Sequence, residues 1–433
     1  MKEVYVLDGN LNAVGMVDAY KSLIWATRYN DLGDCELCVD ANAANMALLQ
    51  EGRYLMRMDD DMVCRIKKVE IDTSAEDGNY LIVTGYDTKD FLDQRITWGT
   101  ITCNGNLEDF IRQLATLTLI SPFDEDRRLA KPNGETLLQL GPKAGFTKTL
   151  SEQISFKNIG EKIREFCKNN HWGYKFSLAG AKLSFSLYAG ADRSSEVIFS
   201  EEYENLSTTK YTHEITAMGN IALIGGAGEG ADRATSSYGW GYGAERYEVF
   251  VDARDIARSI TWKELTEAYP TTTQGGQGYI ATEGGQIVYK MQTIDIPIMD
   301  AAHLAWLESH VPGGTIVTIA GEQYYRVANA TIASLQTDTP EDNSPVILLD
   351  VVYLVYLISR GIEKLAEYGE KTTFEGAVIP DVTFLYKRDY FLGDIVAVVS
   401  EYGISARCRI VEVIEVVDEN GYKVEPKFEY MEE

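Results

Sequence analysis

The glycine-rich run from Gly226 to Ala231 comes nearest, among the motifs of this chain, to a cofactor site. Its pattern is Gly-x-Gly-x-x-Ala and it follows an apolar strand pattern, which is the context of a dinucleotide-binding turn. That chemistry needs a helix immediately afterwards, because the amides at the helix N-terminus bind the pyrophosphate. The following residues, Ser236 to Gly243, interleave glycine with aromatic side chains and form helices poorly. We therefore favour a glycine-rich loop over a dinucleotide site and predict no cofactor.

Cys35 and Cys38 have the spacing of zinc and redox sites. Zinc would require a second pair of ligands nearby, and redox chemistry favours a motif at the start of a helix. Both cysteines instead lie in a strand pattern, where residues three apart face opposite sides of a sheet. We predict two ordinary small apolar side chains and no metal site.

The remaining polar residues offer little for catalysis. The chain has four histidines. His303 and His310 are seven residues apart on one predicted helix, whereas a binding pair is more typically three or four apart. Asp59 to Asp61 could bind a cation, but without the further ligands of a calcium loop we favour a solvated turn. The 66 acidic residues provide many carboxylate pairs, so hydrolysis by such a pair stays open, and we assign no catalytic residue.

The composition is that of a globular protein of several domains. The chain has 433 residues, of which 45% are hydrophobic and 24% charged. Its longest apolar run, Val346 to Ile358, is shorter than the ~20 residues of a membrane span. Met1 to Tyr5 lead directly into a strand pattern, so we expect synthesis in a cytoplasm without processing. The net charge of −26 argues against a surface that binds nucleic acid through its phosphates.

The pattern of elements predicts a β-rich α+β, multi-domain fold. Asn106 is expected to cap a helix from Leu107 to Leu117, and Asn158 a helix from Ile159 to Asn169. Five segments are predicted: 1–100, a β domain; 101–200, an α+β domain; 201–268, returning strands with a glycine and aromatic loop; 269–358, a second β module that begins in a hinge at Pro270 to Gly285; and 359–433, a C-terminal β domain that follows a short helix from Gly361 to Tyr368.

The order of elements in the second β module predicts that this module is a duplicate of residues 36–86. Each copy has a strand, a short helix, two strands joined by a tight turn, and a further strand. The first copy has its helix at Ala43 to Gln50 and its last strand at Tyr80 to Val83. In the second copy the helix is Ala301 to His310 and the last strand is Val346 to Tyr356. A shared order of five elements favours duplication.

Several short motifs occur in a fixed order along most of the chain. They are Gly85 with Phe91 to Arg95, Tyr188 to Arg193, Gly225 to Arg233, Glu248 to Arg254, and Tyr390 to Val396 followed by Arg409. In this order they resemble the tail-tip hub family of long-tailed, siphovirus-type bacteriophages, which is related to the N-terminal hub region of tail-associated lysin (Tal) and baseplate hub proteins. The residues of the family structural motif are Gly85, Arg95, Asp192, Arg193, Asp252, Arg254, Gly393, Asp394 and Arg409.

The resemblance implies a structural protein of the virion rather than an enzyme. Hubs of this family are homotrimers in which two related β-barrel-like domains per subunit form a pseudo-sixfold ring. The ring would cap the tail tube at the distal end of the tail and dock on the hexameric distal tail protein. DNA and the tape-measure protein would pass through its lumen, the DNA without sequence-specific binding. Tail-fibre or receptor-binding proteins would be further partners, and because the chain ends after its last strand, any lytic module would be another protein.

Two alternatives stay open. One is a carbohydrate-active, glycosidase-like virion enzyme with carboxylates in an aromatic groove, and the other is the spike-base hub of a contractile injection system. The segment from Gly225 to Gly243 is our candidate for an inter-subunit or partner contact. Its residues of interest are Gly225, Gly226, Gly228, Gly230, Arg233, Tyr238, Trp240 and Tyr242.

Overall fold

A computed structural model of the chain describes residues 2–74, 78–271, 278–319, 321–378, 383–399 and 405–431. The helices in these ranges are α1 Ala43–Leu48, α2 Asp90–Asp93, α3 Leu107–Ala115, α4 Ile159–Asn169, α5 Trp262–Ala268, α6 Ala301–His310 and α7 Asp350–Leu365. The strands up to residue 200 are β1 Val4–Leu7, β2 Ala13–Val17, β3 Ser22–Arg28, β4 Asp34–Asp40, β5 Tyr54–Met56, β6 Val63–Ser74, β7 Gly78–Asp87, β8 Thr100–Asn106, β9 Leu138–Leu140, β10 Thr149–Ser155, β11 Gly173–Ala179, β12 Lys182–Tyr188 and β13 Ile198–Ser200. The later strands are β14 Leu206–Glu214, β15 Ile221–Gly225, β16 Thr235–Gly239, β17 Glu248–Asp252, β18 Ser259–Thr261, β19 Gly278–Glu283, β20 Gln286–Pro297, β21 Thr315–Ile319, β22 Glu322–Leu335, β23 Pro345–Leu348, β24 Lys371–Val378, β25 Ile395–Val399, β26 Ser405–Asp418 and β27 Gly421–Tyr430.

The largest sheet joins the two ends of the chain. Its order is β14-β24-β27-β26-β3-β4-β7-β6-β5-β1-β2, and β25 pairs with both β26 and β13. The link is the antiparallel pair β26 and β3, in which Glu412 lies opposite Arg28 and Val417 opposite Leu23. Strands from the predicted segments 1–100 and 359–433 therefore share one sheet, and the five predicted domain boundaries stay a prediction.

The β-rich fold with helices is confirmed, whereas the barrel-like domains are not. In the described part of the chain, β2 pairs with β1 alone and β14 with β24 alone, so the large sheet has two open ends. The six-stranded sheet of β18 to β23 is likewise open, with β18 and β19 at the two ends of its order. A barrel would require the first and last strands of a sheet to pair with each other.

The predicted duplication holds for the order of elements but not for the sheet connections. The first copy contains β4, α1, β5, β6 and β7, and the second contains β20, α6, β21, β22 and β23. In the first copy β7 separates β4 from β6, whereas in the second β20 pairs directly with β22. Of the hinge that precedes the second copy, residues 272–277 lie outside the described ranges, as does Ala320 between β21 and β22. Common descent of the two copies stays a prediction.

The predicted strand from Val346 to Tyr356 is wrong. Only Pro345–Leu348 forms a strand, and Asp350–Leu365 forms the 16-residue helix α7, which also includes the start of the short helix predicted at Gly361. The run is rich in valine, tyrosine and isoleucine, which favour strands locally. Helix α7 buries these side chains between β10 and the small sheet of β15, β16 and β17, so tertiary packing overrides the local preference.

The two helices with asparagine caps are confirmed. Asn106 accepts a hydrogen bond from the Asp109 amide at 3.0 Å, and Asn158 accepts one from the Glu161 amide at 3.1 Å. Helices α3 and α4 share a hydrophobic core that also contains side chains of the large sheet, such as Tyr54. The α+β segment therefore packs against the N-terminal strands.

Candidate functional site

The candidate segment lies on a small three-stranded sheet that packs on helix α7. Strand β15 is central and pairs antiparallel with β16 and parallel with β17. Ala222, Ile224 and Val251 face the helix and are buried. On the outer face, Leu223 and Phe250 lie opposite each other in the pairing and are 48% and 56% exposed. The sheet thus presents apolar side chains to solvent.

Close packing against helix α7 explains the glycine at position 226. The Tyr353 hydroxyl accepts a hydrogen bond from the Ala227 amide at 2.7 Å. A Cβ at Gly226 would lie 2.3 Å from that hydroxyl oxygen, closer than non-bonded atoms approach. Gly228 and Gly230 have positive φ, 98° and 55°, which glycine adopts without strain. The glycines are therefore required by the backbone.

The glycine-rich run forms a loop, as predicted, and is not followed by a long helix. Gly230–Asp232 forms a single 3₁₀ turn and β16 begins at Thr235. The helix whose amides would bind a pyrophosphate is not present after the motif.

Arg233 forms hydrogen bonds both to the glycine-rich loop and to Asp252 of the family motif. Its guanidinium donates to the carbonyl oxygens of Gly225 and Gly226 at 2.9 and 3.2 Å, and to the Asp252 carboxylate at 2.9 Å. The Arg254 side chain also donates to Asp252, and this hydrogen bond is the main reason that the pKa of Asp252 is lowered to about 2. The guanidinium of Arg233 lies 5.1 Å from the ring centroid of Phe250. The ion pairs therefore hold one exposed aromatic ring in place.

The three aromatic residues of the segment differ in role. Tyr238 donates a hydrogen bond to Asp300, which caps helix α6; burial and this hydrogen bond raise the pKa of the Tyr238 hydroxyl. Trp240 and Tyr242 are 75% and 80% exposed. Tyr238 thus anchors the segment to the second β module, and the other two rings are free to contact a partner.

A second group of motif residues meets where β12, β25 and β26 come together. The Asp394 carboxylate accepts hydrogen bonds from the amides of Ala191 and Phe391 and from Arg193 Nε, at 2.8 to 2.9 Å. Arg409 donates to the carbonyl oxygen of Gly393 at 2.6 Å. Motifs that are about two hundred residues apart in sequence therefore form one joint, beside which Asp192 pairs with Arg407.

Sequence reasoning missed the residue at the centre of this joint. Tyr29 is buried, and its ring packs edge-on against Tyr188 at 5.2 Å and lies 5.3 Å from the Arg409 guanidinium. Gly393 has a φ of 94°, and a Cβ there would lie 2.4 Å from the Tyr29 ring. The sequence near Tyr29 gives one local indication, which is that an alternating strand pattern begins at Trp25 and ends at Tyr29.

Gly85 and Arg95 belong to neither group. Gly85 lies in β7, where a Cβ would be 2.8 Å from the Arg65 carbonyl oxygen beside a bulge in β6. Arg95 follows α2 and donates from Nε to the Arg127 carbonyl oxygen at 3.1 Å. The family motif is thus distributed over four places in the fold and does not form a single site.

The candidate metal ligands are otherwise engaged. Cys35 is buried and Cys38 half-buried on opposite faces of β4, as predicted. Asp59, Asp60 and Asp61 are ion-paired with Arg57, Lys387 and Lys175, so the predicted solvated turn is a charge-paired one. Within the described ranges, no three His, Cys, Asp or Glu side chains are arranged to hold a metal ion.

Two cavities of the described structure have linings that do not include the aromatic loop. A cleft of about 580 Å³ is lined by Asp59 to Asp61, Lys387 and neighbours, and an apolar cavity of about 300 Å³ lies between α7, β20 and β22. No residue from Gly225 to Gly243 lines either of them. None of the helices that the structure describes is long and apolar enough to cross a lipid bilayer.

Comparison with known proteins gives one family. The family model described as Siphovirus ReqiPepy6 Gp37-like protein matches residues 3–428. No curated protein sequence matches the chain significantly.

Three solved structures of tail proteins are similar to this chain at low identity. The tail protein from Neisseria meningitidis MC58 has 12% identity and a TM-score of 0.49, with 99% of this chain and 97% of that chain covered. The 43 kDa tail protein of prophage MuSo2 from Shewanella oneidensis has 10% identity and a TM-score of 0.47, with 99% and 98% covered. Prophage tail protein gp18 from Listeria monocytogenes EGD-e has 10% identity and a TM-score of 0.45, with 99% and 94% covered. Because these identities and TM-scores are low, the match to the family model is the finding that assigns the chain to a family.

Proposed function

This chain belongs to the siphovirus Gp37-like family of tail proteins, and we propose that it is the structural hub at the distal tip of the phage tail. Three copies would form a pseudo-sixfold ring that caps the tail tube and docks on the hexameric distal tail protein. The match to the tail protein family over residues 3–428 is the observation that carries the proposal. Membership of a siphovirus family also favours a tail-tip hub over the spike-base hub of a contractile injection system.

The charge of the chain suits a ring through which DNA passes. The DNA backbone carries one negative charge for about every 1.7 Å of duplex, and a protein retains it by neutralising phosphates with lysine and arginine. A chain with 66 acidic and 40 basic residues provides a surface that repels DNA instead. We propose that DNA and the tape-measure protein pass the ring without being held by it, and that the chain has no catalytic role.

Assembly of the purified chain tests the proposal. Light scattering should give three times the 48.3 kDa mass of the chain, and negative-stain images of the same sample should show rings with a central hole. A compact monomer at every concentration would contradict it. Hydrolysis of cell-wall polysaccharide by the same sample would instead favour the carbohydrate-active alternative.

The exposed end of the aromatic loop is the proposed contact with a neighbouring subunit or tail partner. Trp240 and Tyr242 together leave two large rings in solvent, and aromatic side chains are enriched at the centres of protein interfaces. Changing both to serine should weaken assembly by about tenfold or more, because the lost apolar burial is not replaced. The folded structure should be unaffected, since neither ring packs in the core.

Tyr203→Ser is the matched control for that variant. Tyr203 is 52% exposed and lies outside the loop, so its loss removes a similar ring without touching the proposed contact. Assembly and partner binding at the wild-type level in the loop variant would refute the assignment.

A further inference from the structure

We propose that an exposed patch around Trp98 binds an acidic surface on a second copy of this chain. The Trp98 patch consists of Arg95, Ile96, Trp98, Arg127 and Phe156. The inference rests on the trimeric assembly proposed above, and it identifies one side of the contact between copies.

The backbone of the patch is fixed although its side chains are exposed. The Thr97 amide donates to the Lys157 carbonyl oxygen at 2.9 Å, and the Lys157 amide donates to Thr97 Oγ1 at 3.0 Å. On either side of these bonds, Trp98 and Phe156 are 59% and 70% exposed. Phe156 has a φ of 53°, a strained value for a residue with a side chain. Ordered backbone with exposed rings is the arrangement of a preformed contact surface.

Arg127 holds the tryptophan ring in one position. Its guanidinium lies 4.2 Å from the ring centroid of Trp98, a cation–π contact, and its Nη2 donates to the Ile96 carbonyl oxygen at 2.6 Å. Arg95 lies beside it and donates from Nε to the Arg127 carbonyl oxygen. Burial and the neighbouring Arg95 charge lower the pKa of Arg127, and the negative charge of nearby Asp124 opposes this shift.

These two arginines lack the partner that most arginines in the fold have. Where the chain is described, no carboxylate oxygen lies within 4.0 Å of either guanidinium, and both side chains donate hydrogen bonds to carbonyl oxygens. By contrast Arg57, Arg233 and Arg360 all pair with carboxylates. Two adjacent guanidinium groups without a carboxylate fit a partner that supplies one.

The charge of the chain indicates that a second copy is the partner. Two copies that each carry −26 repel one another, so a contact between them is favoured where it places cations against anions. In a ring, the contact joins two different surfaces of neighbouring subunits, so the basic patch of one copy can meet an acidic surface of the next. Tryptophan and arginine also dominate the residues that carry binding energy in interfaces. Two arginines on so acidic a chain are a small footprint for nucleic acid.

The test uses Trp98→Ala and Arg127→Glu, each in the full chain. Mass is measured by light scattering over a concentration series, and each variant should associate about 30-fold more weakly than wild type. Arg388→Glu is the control, because it makes the same change in net charge at a side chain that is 64% exposed and remote in sequence. It should associate within a few fold of wild type. The three variants lose only surface contacts, so their thermal unfolding should stay close to that of wild type.

The outcomes separate the inference from the function on which it rests. A wild-type chain that stays monomeric overturns both. A wild-type trimer with Trp98→Ala and Arg127→Glu trimers of equal strength overturns the inference alone. Amide hydrogen exchange at residues 95–98 should slow on assembly, and unchanged exchange in the trimer would also overturn it. Binding of a fluorescent oligonucleotide that Arg127→Glu weakens would assign the patch to nucleic acid and overturn the second-copy partner.

Discussion

Replacing Arg360 with methionine should lower the free energy of unfolding by about 3–5 kcal/mol. The guanidinium is 3% exposed and the Glu152 side chain 0%, and Arg360 Nε donates to Glu152 at 2.8 Å. The same guanidinium donates to the Gln153 carbonyl oxygen at 2.7 Å and contacts Asp255 at 3.2 Å. Methionine keeps most of the buried volume but leaves the carboxylates without a cation in a dry site. Urea unfolding of wild type and variant measures the difference.

An exposed ion pair serves to distinguish the loss of a buried charge joint from the loss of a surface contact. Arg258→Met is the control: Arg258 pairs with Asp350 at 48% and 77% exposure, and its loss should cost about 1 kcal/mol or less. Equal losses in the two variants would contradict a buried charge joint between α7 and β10.

Replacing Gly393 with alanine should cost about 3 kcal/mol or more, because a left-handed backbone and a steric clash act together. Its φ is 94°, and the added Cβ would lie 2.4 Å from the buried ring of Tyr29. Tyr29 cannot move freely, since its hydroxyl donates to the His171 carbonyl oxygen at 3.0 Å. The loss is measured by urea unfolding.

Gly369→Ala is the matched control for Gly393→Ala. Its φ is −70° and no atom lies within 4 Å of the added Cβ, so the stability should change by less than about 1 kcal/mol. A Gly393→Ala chain as stable as the Gly369→Ala chain would mean that Tyr29, Gly393 and Arg409 do not form a rigid joint.

The features that sequence predicts well here are those set by near neighbours in the chain. Asn106 and Asn158 cap helices because each side chain bonds an amide three residues ahead. The hairpin of β1 and β2 is also set locally, because Asp8 accepts hydrogen bonds from the amides of Asn10 and Asn12 within the turn. The glycine loop is likewise predictable, because its own residues exclude a helix.

The features that sequence misses depend on distant residues. Helix α7 has the local composition of a strand, and its packing between two sheets decides otherwise. The pairing of β3 with β26 joins opposite ends of the chain, which no local pattern specifies. The same distinction applies to the candidate site residues. The aromatic residues of the loop could be selected from composition: Tyr238, Trp240 and Tyr242. Tyr29 is identified only in the structure, where Gly393 and Arg409 pack on it.

The position of the chain in the virion tests the central claim most directly. In phage particles that carry a short peptide tag on this protein, gold-labelled antibody should bind at the distal end of the tail, on the side away from the capsid. We expect label at that end in intact tails and its loss in tails from which the tip has been removed. Label spread along the tube, or absent from purified particles, would contradict a tail-tip hub.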